Sequence, residues 1–384
     1  MHLRKLIAST LCASSIAAIA AASAAPVTAP PLVRPDRIEL PSADGKSLSG
    51  LLHAVVDKRG RLRLLADRDL RIYALQEGRW RQIEQLRTSK HDVPIVRTVA
   101  MSPDGDTWML TQPGDPELLY FVRGEEKSLP DVGWTVMAVG LPGGTPSVAI
   151  APFATQRAKA EAFGDGPVPL VLRLEGDEWV PFAQRSLEPP VTRDHELGSH
   201  QMRDYSDVFL ANGANGSLWL AQKNAYVVRE YASSGKLRVD IGTEKPTVEY
   251  RDRTTAEQQK FQGAMKGRPA AEVKRWEEGI SRQVPKQVIQ GVAASDGSHA
   301  FVLRQSRDGS GLELDRYDGV LQRAQRTRVE IPRFSWARSF VATSDGLVVV
   351  SASFNDEVWL FPWERLETAA WQPLREARIR PTAR

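Results

Sequence analysis

The sequence predicts an all-β fold built from six copies of one four-stranded unit. Three observations carry this reading. Short β-rich runs recur in pairs around turns that contain Gly. The order of runs and turns is the same in every copy. The chain has 384 residues, 42% hydrophobic and 26% charged, with 28 Gly and 25 Pro. That composition is globular and excludes collagen, a coiled coil, a disordered tail and a multi-span membrane protein.

The second unit is the sharpest. Residues 98–101 lead into the turn Ser102-Pro103-Asp104-Gly105, residues 107–110 return, residues 118–122 form a third run, and Gly124 precedes residues 127–129. The first unit runs through 53–56, 62–65, 70–75 and 80–83. The third takes 136–141, 147–150, 170–174 and 179–182, and the fourth 208–210, 218–221, 226–231 and 237–241. The fifth opens at Val292 and Ala293 and continues through 300–303 and 312–317 to Gly319. The sixth takes 340–342, 347–350, 358–361 and 371–374. Asp-Gly and Asn-Gly pairs suit tight hairpins because Gly and Asn reach positive φ cheaply. Four strands cannot bury both faces alone, so the units must stack on each other. Radial stacking of four-stranded antiparallel sheets is the β-propeller, here with six blades. Trp80, Trp108, Trp179, Trp219 and Trp359 recur at regular strand positions, which predicts packing between blades.

The turn glycines Gly60, Gly105, Gly144, Gly216, Gly297 and Gly346 leave two wide gaps. One holds the polar stretch 151–169, which lengthens a hairpin in blade 3. The other, between blades 4 and 5, has a different character. Thr254-Thr255-Ala256-Glu257 has capping-box spacing and opens a helix to about Met265. Gly267 breaks it. Pro269 suits the first turn of a second helix, on which Val273, Trp276 and Ile280 share one face. The segment 254–283 is therefore read as a helical hairpin added to a complete propeller. Phe261, Met265 and Trp276 are its candidate partner-binding residues, since aromatic side chains concentrate at interface hot spots.

The N-terminus has the three-part layout of a secretory signal peptide. Arg4 and Lys5 supply positive charge, residues 6–22 are small and apolar, and Ala22-Ser23-Ala24 is an A-x-A cleavage pattern. Residues 1–24 are read as the signal, 25–47 as a lead-in, 48–374 as the propeller and 375–384 as a basic tail. The expected location is the bacterial periplasm or the extracellular space, with no membrane anchor after cleavage. The single cysteine, Cys12, lies inside the signal. The mature chain then has no disulfide, thiol nucleophile or thiolate metal site. The formal charge is +4, of which Arg4 and Lys5 contribute half. So weak a balance is no footprint for nucleic acid.

These units, with Met101-Ser102-Pro103-Asp104-Gly105 as the clearest, resemble six-bladed propellers of the TolB-like and NHL-repeat type over about residues 48–374. The resemblance implies architecture. It does not select a function, because that superfamily includes scaffolds, hydrolases and receptor modules.

No catalytic motif of the nucleophile-elbow, P-loop or H-E-x-x-H kind is present. Two sets of residues remain. Arg97 and Arg338 stand eight residues before their turn glycines, just ahead of the innermost strands, and Tyr205 holds the matching place before Gly213. These positions open on the central channel, where guanidinium groups suit a carboxylate or phosphate. His53 and Trp134 lie near equivalent mouth positions. The second set is His195, His200, Asp204 and Asp207, a polar cluster between blades 3 and 4. Imidazole with carboxylate suits a divalent metal or acid–base work, but a loop fixes no chelating geometry. The sequence therefore points to no cofactor, with a divalent metal at the channel mouth as the alternative. It predicts a monomeric binding or scaffold propeller for a protein or small-molecule ligand. The alternative is a hydrolase or lyase at the channel mouth, built from His195, His200, Arg97 and Arg338.

Overall fold

The structure, a computed structural model, describes residues 32–40, 52–66, 70–76, 79–88, 96–112, 118–151, 169–184, 207–242, 248, 250–269, 273, 283–295, 299–306, 311–319, 323–352, 356–374 and 378–381. Each repeated unit folds into one antiparallel sheet, and six such sheets form the blades of a propeller. Blade 1 is Leu52–Val56, Leu62–Ala66, Arg71–Gln76 and Arg79–Gln85. Blade 2 is Thr98–Met101, Thr107–Thr111, Leu118–Val122 and Glu125–Lys127. Blade 3 is Val136–Gly140, Ser147–Ile150, Pro169–Glu175 and Glu178–Gln184. Blade 4 begins Val208–Asn212, Leu218–Gln222, Val227–Tyr231 and Leu237–Gly242. Blade 5 begins Ile289–Ala294, His299–Gln305, Leu312–Asp318 and Arg323–Val329. Blade 6 contains Trp336–Ala342, Gly346–Ala352 and Glu357–Pro362. The first strand of each blade is innermost, and these six strands touch in ring order around the central channel.

The outer strand of blade 6 corrects the sequence reading. Residues 371–374 do not supply it. Asp36–Ile38, ahead of blade 1, pairs antiparallel with the third strand in the register Asp36↔Leu360, Arg37↔Trp359 and Ile38↔Val358. The start of the chain therefore ties the last blade to the first. Ile38 and Leu40 pack on the apolar cluster that blades 6 and 1 share, which gives this short strand its anchorage. After blade 6 the helix Trp363–Glu367 turns the chain back, and Gln372–Pro373 lies along the outer strand of blade 5. Arg378–Pro381, inside the stretch read as a basic tail, pairs with the outer strand of blade 4, with Asp240↔Arg380 at its middle. These additions cover two sheet edges whose unpaired N–H and C=O groups would otherwise face solvent.

The core is divided among the seams rather than gathered at one centre. Separate apolar clusters join blades 1 and 2, 2 and 3, 3 and 4, 4 and 5, 5 and 6, and 6 and 1. Trp108, Trp219 and Trp359 are buried in these seams, and Trp80 and Trp179 are half-buried against them. This is the consequence of alternation in a strand: each blade presents two apolar faces and only a neighbouring blade can cover them.

In the segment between blades 4 and 5, Tyr250–Asp252 and Gln283–Pro285 form a two-stranded ribbon. The helix Thr255–Met265 begins on the expected capping box: Thr254 Oγ1 accepts from the Glu257 backbone N–H at 3.2 Å, and Glu257 accepts from the Thr254 N–H at 2.8 Å. Arg251 adds two bonds to the Glu257 carboxylate, of 2.7 and 2.6 Å, and these bonds, with the cap, hold its pKa down at about 2. Of the second expected helix Pro269 and Val273 are described, with the Val273 N–H donating to the Pro269 carbonyl at 3.0 Å, and Trp276 and Ile280 lie outside the described residues.

Candidate functional site

The inner strands position the site, and local irregularities in them decide which side chains reach it. Three of these strands carry a register shift near their N-terminal ends, at Val136/Ala138, Ile289/Gly291 and Ala337/Ser339. A bulge of this kind re-aims the extra residue. In blades 5 and 6 the residues so displaced are Gln290 and Arg338.

At the other end of the channel the hairpins draw together. Asn212, at the end of the inner strand of blade 4, accepts from the Leu141 N–H of blade 3 at 3.0 Å. Its amide also donates to the Met101 carbonyl of blade 2 at 3.0 Å. One asparagine side chain thus links blades 4, 3 and 2 at this end of the channel. Neighbouring hairpins are stitched as well. The Lys58 N–H donates to the Pro103 carbonyl at 2.7 Å, and the Ser344 N–H donates to the Gly60 carbonyl at 2.8 Å. Gly60 has φ +72°, and a Cβ there would lie 2.8 Å from the Ser344 nitrogen, so only Gly fits this approach. Asp57 braces the same hairpin. Its carboxylate accepts from the Arg59 and Arg61 N–H groups at 2.9 and 3.1 Å and from the Arg61 and Arg63 guanidinium groups. Burial pushes this carboxyl up, but the Arg61 bonds outweigh it and leave it below its ordinary range.

The inner strands surround a cavity of about 480 Å³ that reaches these residues. Its lining is mixed: Val55, Val99, Ala138, Ala211 and Phe340 contribute, but they also pack in the seams between blades, and polar groups line it at least as much as apolar ones. Its polar groups gather where the inner strands begin. There the Arg338 guanidinium is held by Asp356, with Nε to Oδ2 at 2.8 Å and Nη2 to Oδ1 at 3.4 Å. The same Oδ2 accepts from the Leu52 N–H of blade 1 at 2.8 Å. Both side chains are buried, with 9% and 1% of their surfaces exposed. Gln290 plays the matching part between blades 5 and 6, accepting from the Ala337 N–H at 3.4 Å.

His53 is buried in the same wall. Its Nε2 lies 3.1 Å from the Val96 carbonyl. A carbonyl only accepts, so Nε2 carries the hydrogen. Burial first, and the Arg338 charge second, depress the His53 pKa to about 3, against the Val96 bond, which raises it. At neutral pH the ring is therefore uncharged and is no proton donor of catalytic strength.

Blade 4 contributes Asp207, Lys223 and Asn224. Lys223 is 3.9 Å from Asp207 and 4.9 Å from the centre of the Phe209 ring. The turn that carries it is fixed from both sides. The Lys223 carbonyl accepts from the Val288 and Ile289 N–H groups of blade 5 at 2.7 and 3.0 Å. Tyr226, at the far end of the turn, is buried with its hydroxyl bonded to Asp315 and Tyr317 of blade 5. Arg326 closes on the same Asp315 with bonds of 2.6 and 3.0 Å. Arg97 and Trp336 lie exposed at this end, Trp336 at 42%.

The structure therefore brings Arg97, Arg338, His53 and Asp207 to one cavity and separates Trp134 from it. Trp134 is half-buried on the seam between blades 2 and 3. Tyr205, His195, His200 and Asp204 lie outside the described residues. Phe261 and Met265 fall on the described helix, but their side chains do not belong to the described part. Lys223, Asn224, Gln287 and Trp336 were missed by sequence reasoning. Register from the turn glycines inspects the residue ahead of each inner strand. Lys223 and Asn224 come from the turn after a second strand. Among the described residues no group of three or more His, Cys, Asp and Glu is placed to hold a metal ion.

The fold and this cavity define the class: a six-bladed β-propeller with a cavity among its inner strands. No family model and no curated protein matches the sequence. Solved structures match in shape. A protein of Bacteroides fragilis is similar at 9% identity and a TM-score of 0.45, covering 93% of this chain and 98% of that one. Streptogramin B lyase is similar at 11% identity and 0.42, with coverage of 84% and 81%. The WD40 repeats of RRP9 are similar at 11% and 0.43, with coverage of 87% and 99%. Likenesses this distant bear on no functional question.

Proposed function

We propose that this protein is an exported binding propeller that takes a small molecule in its central channel, at the end where the inner strands begin. The observation that supports it is the cup itself. It has Asn212 linking blades 4, 3 and 2 at one end, a mixed lining, a volume of about 480 Å³ and a few convergent polar groups at its rim. Small-molecule sites fall in the ~300–1,000 Å³ range. Export rests on the charged, apolar and A-x-A segments of residues 1–24. Among the described residues no helix is long and apolar enough to cross a membrane.

The alternative, a hydrolase or lyase at the same mouth, gains nothing from the described groups. Arg338 is already engaged by Asp356, and His53 is held neutral.

The test is a fragment screen by ligand-observed NMR on the folded protein, repeated on Ala211→Trp. Ala211 is half-buried on the inner strand of blade 4, lines the cup and borders the seam with blade 5, so an indole there crowds the cup, provided circular dichroism shows the variant folded. Fragments that bind the wild type and compete with one another are expected to be lost in the variant. Binding that survives the crowded cup places recognition elsewhere on the propeller and overturns the reading.

A further inference from the structure

We propose that the ligand of this cup is an organic monoanion: a carboxylate recognised by Arg97, carried on a small uncharged body that enters the channel. This rests on the cup being the binding site and names the chemistry that it selects.

The charges at the rim decide the sign. Among the described residues four charged side chains line the cup: Arg97, Asp207, Lys223 and Arg338. Arg338 is matched by Asp356, both buried, in a two-bond pair. Lys223 has Asp207 at 3.9 Å. Among the described residues no carboxylate lies within salt-bridge distance of Arg97. The matched pairs cancel, and one positive charge remains on an exposed guanidinium at the rim. This one unmatched cation among the described residues complements one negative charge. A phosphate dianion would need a second free cation, and the pair with Asp356 withholds Arg338 from that role. A guanidinium presents parallel N–H donors that match a carboxylate's two oxygens. The neutral amides of Asn224 and Gln287 add polar partners without changing the charge. Below them the lining mixes strand edges with Val, Ala and Phe side chains and, among the described residues, offers no further charge, so the rest of the ligand is uncharged.

The experiment uses three probes of nearly equal shape, observed by fluorine NMR: 4-fluorobenzoate, 4-fluorobenzamide and 4-fluorobenzylamine. They are titrated into the folded wild type, Arg97→Met and Ala211→Trp. The benzoate is expected to bind the wild type in preference to the other two, and to weaken as salt is raised. Arg97→Met should weaken it roughly tenfold or more, the loss of one charge-assisted bidentate contact. Its weak binding to the amide should be unchanged. Equal benzoate binding by wild type and Arg97→Met overturns the proposal, as does preference for the amine. If amide and benzoate bind alike and both are lost in Ala211→Trp, the cup stands as the site and the monoanion class fails. If benzoate binding survives in Ala211→Trp, the cup reading itself fails.

Discussion

Replacing Asp356 with alanine is expected to lower the unfolding free energy by about 3–5 kcal/mol, the cost of removing one partner of a buried ion pair. The variant leaves the Arg338 guanidinium in a site where only 9% of its side chain meets solvent. It also takes the acceptor from the Leu52 N–H, which is bonded to the same Oδ2 at 2.8 Å. That bond crosses from blade 6 to blade 1, next to the seam that Asp36–Ile38 closes. The loss therefore falls where the ring is joined. Urea unfolding should show a lower midpoint with an unchanged slope. The double variant Arg338→Met with Asp356→Leu should recover more than half of the loss, because two apolar groups leave no buried charge behind. A cost below about 1 kcal/mol for the single variant would fit an exposed pair and contradict this account.

A pH dependence centred on His53 is the second large effect. The ring is neutral in the folded protein down to a pKa of about 3, whereas the unfolded chain takes up its proton near 6.5. The folded value is the lower one, so the unfolded state binds more protons between those limits. The contribution of His53 to stability is therefore complete above pH 6.5 and is lost as the pH falls toward 3. The slope is about 1.4 kcal/mol per pH unit, so on the order of 3 kcal/mol disappears between pH 7 and pH 4. Paired carboxylates such as Asp57 lose stability over part of the same range, and a comparison removes them. His53→Asn keeps a donor for the Val96 carbonyl and has no titrating group. The stability gap between wild type and variant should shrink by that amount from pH 7 to pH 4. Parallel curves would mean that His53 is reached by solvent and titrates normally.

The blades were legible because each repeats a local signal. Turns that contain Gly marked the hairpins, and alternation set which faces pack, so Trp108 and Trp219 could be assigned to seams. The closing strand was not legible. Asp36–Ile38 is three residues long, has no turn joining it to a partner, and pairs with the far end of the chain. Residues 371–374 looked like the missing strand because they follow blade 6 in sequence. The site was half legible for a similar reason. Counting back from Gly105 and Gly346 treats Arg97 and Arg338 as equals. The register shift at Ala337/Ser339 and the carboxylate of Asp356 make them different, one exposed and unpaired among the described residues, the other buried and bound. Lys223 and Asn224 depend on how the turn between two strands is anchored by Tyr226 to blade 5, which no local pattern encodes.

The central claim is that ligands enter the channel where the inner strands begin. The most direct measurement is a map of backbone amide shifts in the isotope-labelled protein as a bound fragment is titrated to saturation. The cup predicts that the largest changes fall at the beginnings of the inner strands and the turn beside them: Ala54, Thr98, Asp207, Asn224 and Arg338. Changes confined to the hairpins at Arg59 and Asp104, or to outer strands such as Arg79–Gln85, would contradict it.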